Sequence, residues 1–392
     1  MCFLCTESSG FETDIATIIG ASKTPAIETN ELISPPSTPQ ASSIASNENK
    51  YTFNIVGLNQ TSPIYDGIHL NSIKGIEYLS SKFKWKGTLD FVVNFVEEFW
   101  WAPDGTQGFG GYGNVDLTHT EITTGIDKDT TDYDLGSWVK GSANAEKLYN
   151  YGSEVFIDPN PIAELDSSIP AGTHDYFSIF IHESLHTFGF TNNGTAHKNL
   201  LFTNSGEPYD PLKSTSEQWY FTGESAVSMY GQNIELAPNA PWHYSLTSEY
   251  DIMGGPGGYG LYEQNRWTIT KLDQAIFGDL GLGIVLDGDN TNENYIGGLG
   301  DDIINTFGGD DVIKGRSGDD QINGGEGSDK FILLGDFSNY SFTRATNSLV
   351  ITDQRTGTND GTDTLSHIEY IQFSDQTVEE SKVDVFKIYS GN

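Results

Sequence analysis

The sequence predicts an α+β domain, followed by a repeat segment with a nine-residue period and a C-terminal β segment. In residues 51–285, stretches in which apolar and polar residues alternate are typical of strands, and apolar residues three or four apart are typical of helices. In residues 286–335, glycine and aspartate recur every nine residues. Residues 336–392 hold short apolar stretches between Asn, Gly and Asp turns. Residues 1–50, which are rich in Ser, Thr, Pro and Asn, predict a disordered tail or propeptide.

The elements of the α+β domain are predicted from local patterns. Residues 51–57 and 89–96 alternate as strands do, whereas residues 68–84 place apolar residues on one side of a helix. Residues 108–114 predict a glycine-rich loop. Residues 151–159 predict an extended strand that ends at a turn.

One short motif in this domain is suited to chemistry. His182 and His186 are four residues apart, so on a helix their side chains share one face and can bind the same metal ion. Glu183 lies beside them and is suited to hold a metal-bound water and accept its proton. Thr173 can cap the start of such a helix, and Gly189 can adopt the left-handed conformation that ends it. The motif therefore predicts a zinc site on a helix that begins near Thr173.

The motif and the residues that follow it resemble the metzincin zinc proteases. In the commonest metzincin pattern a third histidine comes six residues after the second, but this chain has Asn192 there, and an amide is a poor zinc ligand. His243, which precedes a turn that contains Met253, resembles the third histidine of the leishmanolysin-type metzincins. His197 is the alternative third ligand.

The resemblance covers roughly residues 150–283 and implies a zinc metalloendopeptidase that acts on protein or peptide substrates. It implies three zinc ligands, which are His182, His186 and His243. It also implies that Glu183 is the catalytic base, and that Met253 forms an apolar floor beneath the imidazoles. The serralysins, a neighbouring metzincin family, have a similar zinc helix and similar repeats. Their tyrosine after the methionine turn is replaced here by Gly255.

The composition excludes several classes of partner. The formal net charge is -35 and the pI is about 4.2, whereas phosphate binding needs a basic surface, so no nucleic acid is expected as a partner. No apolar run approaches the length of a membrane span. Cys2 and Cys5 are the only cysteines, so disulfides do not build this fold. These two are either thiols without a role, or one of them ligates the zinc in a latent form.

The repeat segment predicts calcium binding. Residues 297–305 fit the pattern Gly-Gly-x-Gly-x-Asp-x-apolar-x, and further copies begin at Thr306, Gly315 and Gly324. The sixth-position aspartates are Asp302, Asp311, Asp320 and Asp329. This pattern resembles the RTX repeats, which form a parallel β-roll. Inward carboxylates and backbone carbonyls of successive turns can cage a hard cation, which suits Ca²⁺.

The C-terminal segment points to export. Residues 363–369 resemble the segment that follows RTX repeats in proteins exported by the one-step bacterial type I route. Residues 1–5 lack the basic region and the long apolar core of a secretory signal peptide. The resemblance implies a secreted, extracellular protein that has the type I secretion machinery as a partner.

Three functions remain open at this point. The first is a secreted, zinc-dependent and calcium-stabilised metalloendopeptidase. The second is a non-catalytic, calcium-binding RTX surface or adhesion protein with a relic protease domain. The third is a zinc hydrolase that acts on a bond other than a peptide bond, against which the order of the metzincin-like motifs argues.

Overall fold

The computed structural model describes residues 28–29, 49–56, 60–61, 65–85, 88–96, 108–110, 146–149, 176–190, 199–208, 218–237, 240–244, 252–253, 268–357 and 360–383. The helices bounded within these ranges are α1 (Tyr65–Lys82), α2 (Tyr176–Thr187), α3 (Glu224–Tyr230) and α4 (Lys271–Asp279). Most of the predicted N-terminal tail, the predicted strand at 151–159 and the predicted helix start at Thr173 lie outside the described residues.

A five-stranded mixed sheet forms the N-terminal part of the fold. The first strands in chain order are β1 (Glu28–Thr29), β2 (Lys50–Val56), β3 (Phe83–Lys84), β4 (Thr88–Val96), β5 (Gly108–Gly110) and β6 (Glu146–Tyr149). The spatial order is β1-β2-β4-β6-β5, with β2, β4 and β6 parallel and with β1 and β5 antiparallel at the two edges. Strands β2 and β4 confirm the two predicted strands.

Two expectations for this sheet are corrected. Residues 108–110 of the predicted glycine-rich loop form strand β5, because their backbone pairs with β6. Residues 28–29 of the predicted disordered tail form strand β1, because they pair with β2. In both cases the neighbouring strand provides hydrogen-bond partners for the backbone amides and carbonyls. The local composition of a segment does not reveal such a partner.

The helix that carries the histidine motif is packed tightly into the core. Gly75 on α1 lies against the ring of Phe180 on α2, and any side chain at position 75 would overlap that ring. Phe180 also packs on Phe91 of β4, with ring centroids 6.2 Å apart. Phe188, just beyond α2, contacts Phe83 edge-on at 6.1 Å. Aromatic pairs of this kind add about 0.5–1.5 kcal/mol each beyond their buried area, so the orientation of α2 is well determined.

The end of α2 agrees with the sequence. The helix stops at Thr187, and the amide of Phe188 still donates to the carbonyl of Ser184 at 2.9 Å. Gly189 follows with a φ of +123°, which an L side chain rarely adopts. The glycine therefore turns the chain away from the helix axis, as predicted.

A smaller antiparallel sheet follows α2 in the chain. It consists of β7 (Leu201–Phe202), β8 (Tyr220–Phe221), β9 (Ile234–Ala237) and β10 (Ala240–Tyr244), in the spatial order β10-β9-β8-β7. Helix α4 begins with a capping box in which Thr270 and Asp273 each bond the backbone amide of the other. Next to it, the amide of Ile269 donates to the hydroxyl of Tyr78 at 2.9 Å, which joins α4 to α1. Burial raises the pKa of Tyr78 to about 12, so this hydroxyl stays neutral.

The C-terminal part is a two-sheet parallel roll. Its strands are β11 (Gly283–Asp289), β12 (Asn294–Ile296), β13 (Ile303–Phe307), β14 (Val312–Lys314), β15 (Gln321–Asn323), β16 (Lys330–Ile332), β17 (Tyr340–Arg344), β18 (Leu349–Asp353), β19 (Thr362–Ser366), β20 (Tyr370–Gln372) and β21 (Thr377–Glu379). Odd-numbered β11, β13, β15 and β19 are parallel in one sheet, and even-numbered β12, β14, β16 and β20 are parallel in the other.

The register of the roll follows the nine-residue repeat. The chain changes sheet at each repeat, so one full turn takes 18 residues, and Ile304 pairs with Ile322 while Ile313 pairs with Phe331. These eighth-position side chains are fully buried between the sheets. The two sheets do not end at residue 335, because β19 and β20 continue them after an antiparallel hairpin formed by β17 and β18.

The roll is continuous with the rest of the fold. Helix α1 ends at Lys82 rather than continuing to residue 84 as predicted, because Phe83 and Lys84 pair antiparallel with β11 as strand β3. On another side of the junction, Asp279 is buried at the end of α4 and bonds the guanidinium of Arg316 at 2.7 Å. Asp279 also accepts from the amides of Ser225 and Ala226 at 3.0 and 2.9 Å. These bonds hold the first turn of α3, the end of α4 and the repeat loop around Arg316 together.

The bond between Asp279 and Arg316 should make a large contribution to stability. Burial raises the pKa of Asp279, and the nearby guanidinium and amide donors oppose that shift. Replacing Asp279 with alanine would remove the buried partner of Arg316 and leave it only the longer ion pair with Glu224, at 3.4 Å. The variant would also take the carboxylate acceptor from the amides of Ser225 and Ala226. We therefore expect a loss of about 3–5 kcal/mol in the free energy of unfolding. Urea unfolding of the wild type and of Asp279→Ala, both in saturating calcium, measures this difference.

The matched control is Glu380→Ala, which removes a more exposed partner of Arg344. A surface ion pair contributes about 0–1 kcal/mol. Equal destabilisation by the two variants would show that the junction does not depend on Asp279.

Candidate metal centres

His182 lies deep in the core, against the turn at residues 252–253. Its side chain is 2% exposed, and its Nδ1 lies 2.7 Å from the backbone carbonyl oxygen of Ile252. Because a carbonyl can only accept, Nδ1 carries the proton and donates it in this bond. In the neutral ring the lone pair is then on Nε2, the nitrogen that can bind a metal, and ligating histidines commonly make such a bond through the other nitrogen. Met253, the next residue, is completely buried.

The surroundings keep this imidazole neutral. Burial lowers the pKa of His182 to about 4, and the bond to Ile252 only partly opposes that shift. A histidine must be neutral to bind a metal ion, since the proton and the metal compete for the same lone pair. The ring of His182 therefore has the protonation state and the fixed orientation of a metal ligand.

The other members of the predicted zinc site are described through their backbone. Glu183 and His186 lie on α2, one and four residues after His182, so His186 falls on the same helix face. His243 lies in β10, next to β9, in a strand that the sequence did not predict. The side chains of these three residues, and all of His197, lie outside the described residues. In the part of the chain that is described, no group of three or more His, Cys, Asp or Glu side chains could hold a metal ion.

The carboxylates of the repeats form two ladders along the roll. In each ladder, the backbone amide of a sixth-position residue donates a hydrogen bond to the carboxylate of the sixth-position residue in the next turn of the roll, which within the repeats is 18 residues later. In one ladder the amides of Ile284, Asp302 and Asp320 donate to the carboxylates of Asp302, Asp320 and Asp363 at 2.8, 2.9 and 3.2 Å. In the other, the amides of Glu293, Asp311 and Asp329 donate to Asp311, Asp329 and Glu369 at 2.8, 2.9 and 2.7 Å. The four predicted aspartates thus lie inward and stacked, as the sequence predicts.

Three of these aspartates each keep one buried oxygen without a hydrogen-bond partner among the described residues. The atoms are Oδ2 of Asp311, Asp320 and Asp329. A buried carboxylate oxygen without a partner is costly, and calcium takes such oxygens together with backbone carbonyls. Where a glycine begins the repeat, it is part of the same arrangement. A side chain at Gly315 would lie 2.3 Å from Oδ2 of Asp320, and one at Gly324 would lie 2.6 Å from Oδ2 of Asp329. The donor set therefore fits calcium.

The charges of the ladders require neutralisation. Burial raises the pKa of Asp302 and Asp320 well above the usual range, and it raises the pKa of Asp329 to about 6. Repulsion from Asp302 and Asp363 adds to the shift at Asp320. Cations bound along the ladders would remove this penalty and offset part of the net charge of -35.

Two members of the ladders were missed by the sequence analysis. Asp363 and Glu369 occupy the last places, but a hairpin separates them from the preceding repeats, so Asp363 comes 43 residues after Asp320 instead of 18. The signal for Asp363 is the local pattern Asp360-Gly361-Thr362-Asp363, which keeps the glycine and aspartate spacing of a repeat.

Comparisons with known proteins identify the repeat segment. Residues 287–322 and 296–331 match the model of the RTX calcium-binding nonapeptide repeat in four copies. No curated protein matches the chain. Among solved structures, an extracellular lipase, LipA of Serratia marcescens, is similar at 25% identity with a TM-score of 0.20. That match covers 21% of this chain and 13% of the lipase chain.

The repeats indicate both a ligand and a setting. RTX repeats are typical of secreted proteins, which fits an extracellular location. Among the described helices, none is long and apolar enough to cross a membrane. The inward aspartates and the family match agree with each other, so residues 287–331 are RTX calcium-binding nonapeptide repeats, and they support calcium binding by this chain.

Proposed function

We propose that this chain is a secreted, zinc-dependent metalloendopeptidase whose fold is stabilised by calcium. The observation that carries the proposal is the contact between His182 and the turn at residues 252–253. A histidine of the predicted zinc motif is neutral, buried and bonded to the residue before Met253, 70 positions away in the chain. The metzincin resemblance implies a methionine turn beneath the zinc-binding imidazoles, so this contact supports the proposal.

The zinc ligands in this proposal are His182, His186 and His243. The first two share a face of α2, and β10 carries the third. A zinc ion held by these imidazoles would polarise the scissile carbonyl and lower the pKa of a bound water. Glu183 would take the proton from the attacking water and deliver it to the departing amine, which is the usual role of the glutamate in this motif. The bond to Ile252 would keep His182 in one orientation throughout.

The substrate class in this proposal is an extended peptide. Strand β5 is at the edge of the five-stranded sheet, and α2 lies against it. An antiparallel edge strand has backbone donors and acceptors that can pair with an incoming extended chain. A peptide bound there would run beside the helix that carries His182 and Glu183.

Calcium and export form the second half of the proposal. The roll is joined to the N-terminal part through the pairing of β3 with β11, so calcium that orders the roll would also hold the end of α1. We propose export by the type I machinery, with folding of the roll completed in the calcium-rich extracellular medium.

The third ligand can be tested by metal analysis of two single variants. We expect His243→Ala to lose bound zinc, because two imidazoles alone hold zinc weakly. His197→Ala is the matched control and should keep it. Zinc content after gel filtration in calcium-containing buffer measures both. Loss of zinc in His197→Ala with zinc retained in His243→Ala would assign the third position to His197 instead.

The alternative is a non-catalytic, calcium-binding RTX surface or adhesion protein with a relic protease domain. It is favoured by the family match, which covers only the repeats. A calcium-loaded, folded protein that binds zinc and cleaves no unfolded protein substrate would support it.

A further inference from the structure

The loop that follows the β17–β18 hairpin stacks on the roll as a repeat turn does. Gly361 has a φ of +86°, and a side chain there would overlap the carbonyl oxygen of Gly318. Gly318 stands in the same relation to the carbonyl of Gly300 one turn earlier. Gly361 therefore continues the column of fourth-position glycines, although the sequence period is interrupted before it.

Asp363 continues the column of sixth-position aspartates. The amide of Asp320 donates to Oδ1 of Asp363, just as the amide of Asp302 donates to Oδ1 of Asp320. Asp363 is 1% exposed. Two residues later Leu365 pairs with Ile322 of β15 and is buried, as the eighth-position residue of a repeat should be. The turn at residues 360–365 is thus a repeat turn in space.

Two buried oxygens at this turn lack hydrogen-bond partners among the described residues. One is Oδ2 of Asp320, which lies beside Gly315 of its own loop. The other is Oδ1 of Asp360, a residue that is 2% exposed. The second oxygen of Asp360 accepts from the amide of Leu334 at 2.9 Å and from Arg355 at 3.1 Å.

Arg355, the cationic side chain at this turn, does not neutralise all of the carboxylates near it. Arg355 is bonded chiefly to Asp353, through three contacts with its carboxylate, and it reaches Asp360 with a single nitrogen. One guanidinium thus faces two carboxylates before Asp320 and Asp363 are counted. Both of those are almost fully buried and lie close enough to repel each other.

We propose that residues 360–363 close a further calcium site against the loop at 315–320, with Asp320 and Asp363 as its carboxylate ligands and Asp360 lining it. It rests on the proposed calcium binding by the roll and adds a site to which residues outside the matched repeats contribute. A bound calcium would join residues 43 positions apart, and would fasten the C-terminal strands β19 and β20 and the inserted hairpin to the roll. The class of ligand is a hard divalent cation with oxygen ligands.

Isothermal titration of the calcium-free full chain with CaCl₂ tests the site. We expect Asp363→Asn to bind one calcium ion fewer than the wild type, because the amide removes the charge while keeping the shape. The matched control is Glu379→Gln, which removes one charge from the same segment at an exposed pair with Lys382. It should bind as many ions as the wild type. An unchanged number of ions and unchanged affinities in Asp363→Asn would overturn the proposal.

Crystals of the wild-type chain soaked in Tb³⁺ give a readout that does not depend on how a variant folds. We expect an anomalous peak within about 2.5 Å of a carboxylate oxygen of Asp363. Peaks at Asp302, Asp311 and Asp329 with none at Asp363 would overturn this site and leave calcium binding by the repeats intact. No peak anywhere in the roll would contradict the proposed calcium binding itself, and this site with it.

Discussion

Replacing Glu183 with glutamine should lower kcat for peptide hydrolysis by about 10²- to 10⁴-fold while the zinc content stays the same. Glutamine keeps the size of the side chain but cannot accept the proton of the attacking water. Glu183 is not among the proposed zinc ligands, which are His182, His186 and His243, so its replacement should leave zinc bound. Hydrolysis of a quenched fluorescent peptide, together with zinc analysis of the same sample, measures both effects.

The control for this substitution is Glu77→Gln. Glu77 lies on α1 in a partly exposed ion pair with Lys74 and is not part of the proposed zinc site, so this variant changes the net charge equally and should keep full activity. If Glu183→Gln hydrolysed peptides at the wild-type rate, Glu183 would not be the catalytic base.

Removing calcium should unfold the roll. Without a cation, the buried carboxylates of Asp302, Asp320 and Asp363 would face each other along one ladder with their pKa values raised by burial. When the free calcium concentration is 100 times the Kd of a site, binding there adds about 2.7 kcal/mol to the free energy of unfolding. Two or more such sites together approach the whole stability of a typical domain, which is about 5–15 kcal/mol. Chelation should therefore remove the protection from hydrogen exchange of the amides in β13–β16, β19 and β20.

Hydrogen exchange with and without EGTA, monitored by mass spectrometry, measures this loss. Magnesium at the same concentration is the control, and it should not restore protection because it demands a smaller and more regular oxygen shell. Equal protection in calcium and in EGTA would show that the roll folds without bound cations.

Local periodicity predicted the parts of the fold whose signal is local. The helix of the histidine motif, strands β2 and β4, and the nine-residue turns of the roll each follow from patterns within one short segment. Gly189 could be predicted as a helix terminator because the requirement for positive φ is a property of one residue.

The features that the sequence missed depend on distant partners. Strands β1 and β5 form through pairing with β2 and β6, and β3 is taken from the end of the predicted helix by its pairing with β11. Strand β19, with the sequence Thr-Asp-Thr-Leu-Ser, carries little apolar character and becomes a strand because its neighbours β15 and β18 flank it.

The candidate sites show the same division. The spacing of His182 and His186 and the period of the aspartates could be found in the sequence, since helix and repeat geometry fix them. The bond from His182 to Ile252, the pair formed by Asp279 and Arg316, and the place of Asp363 join positions 70, 37 and 43 residues apart. No local pattern predicts the first two contacts, and the third has only the short pattern Asp360-Gly361-Thr362-Asp363 as its signal.

The most direct measurement is the zinc content and the casein-hydrolysing activity of the calcium-loaded wild-type chain, before and after treatment with a zinc chelator that leaves calcium bound. The proposed function predicts about one zinc ion per chain, hydrolysis of casein that is lost with the zinc, and recovery of activity when zinc is added back. A folded, calcium-loaded chain that binds no zinc, or that binds zinc and cleaves no casein, would contradict the assignment of this protein as a metalloendopeptidase.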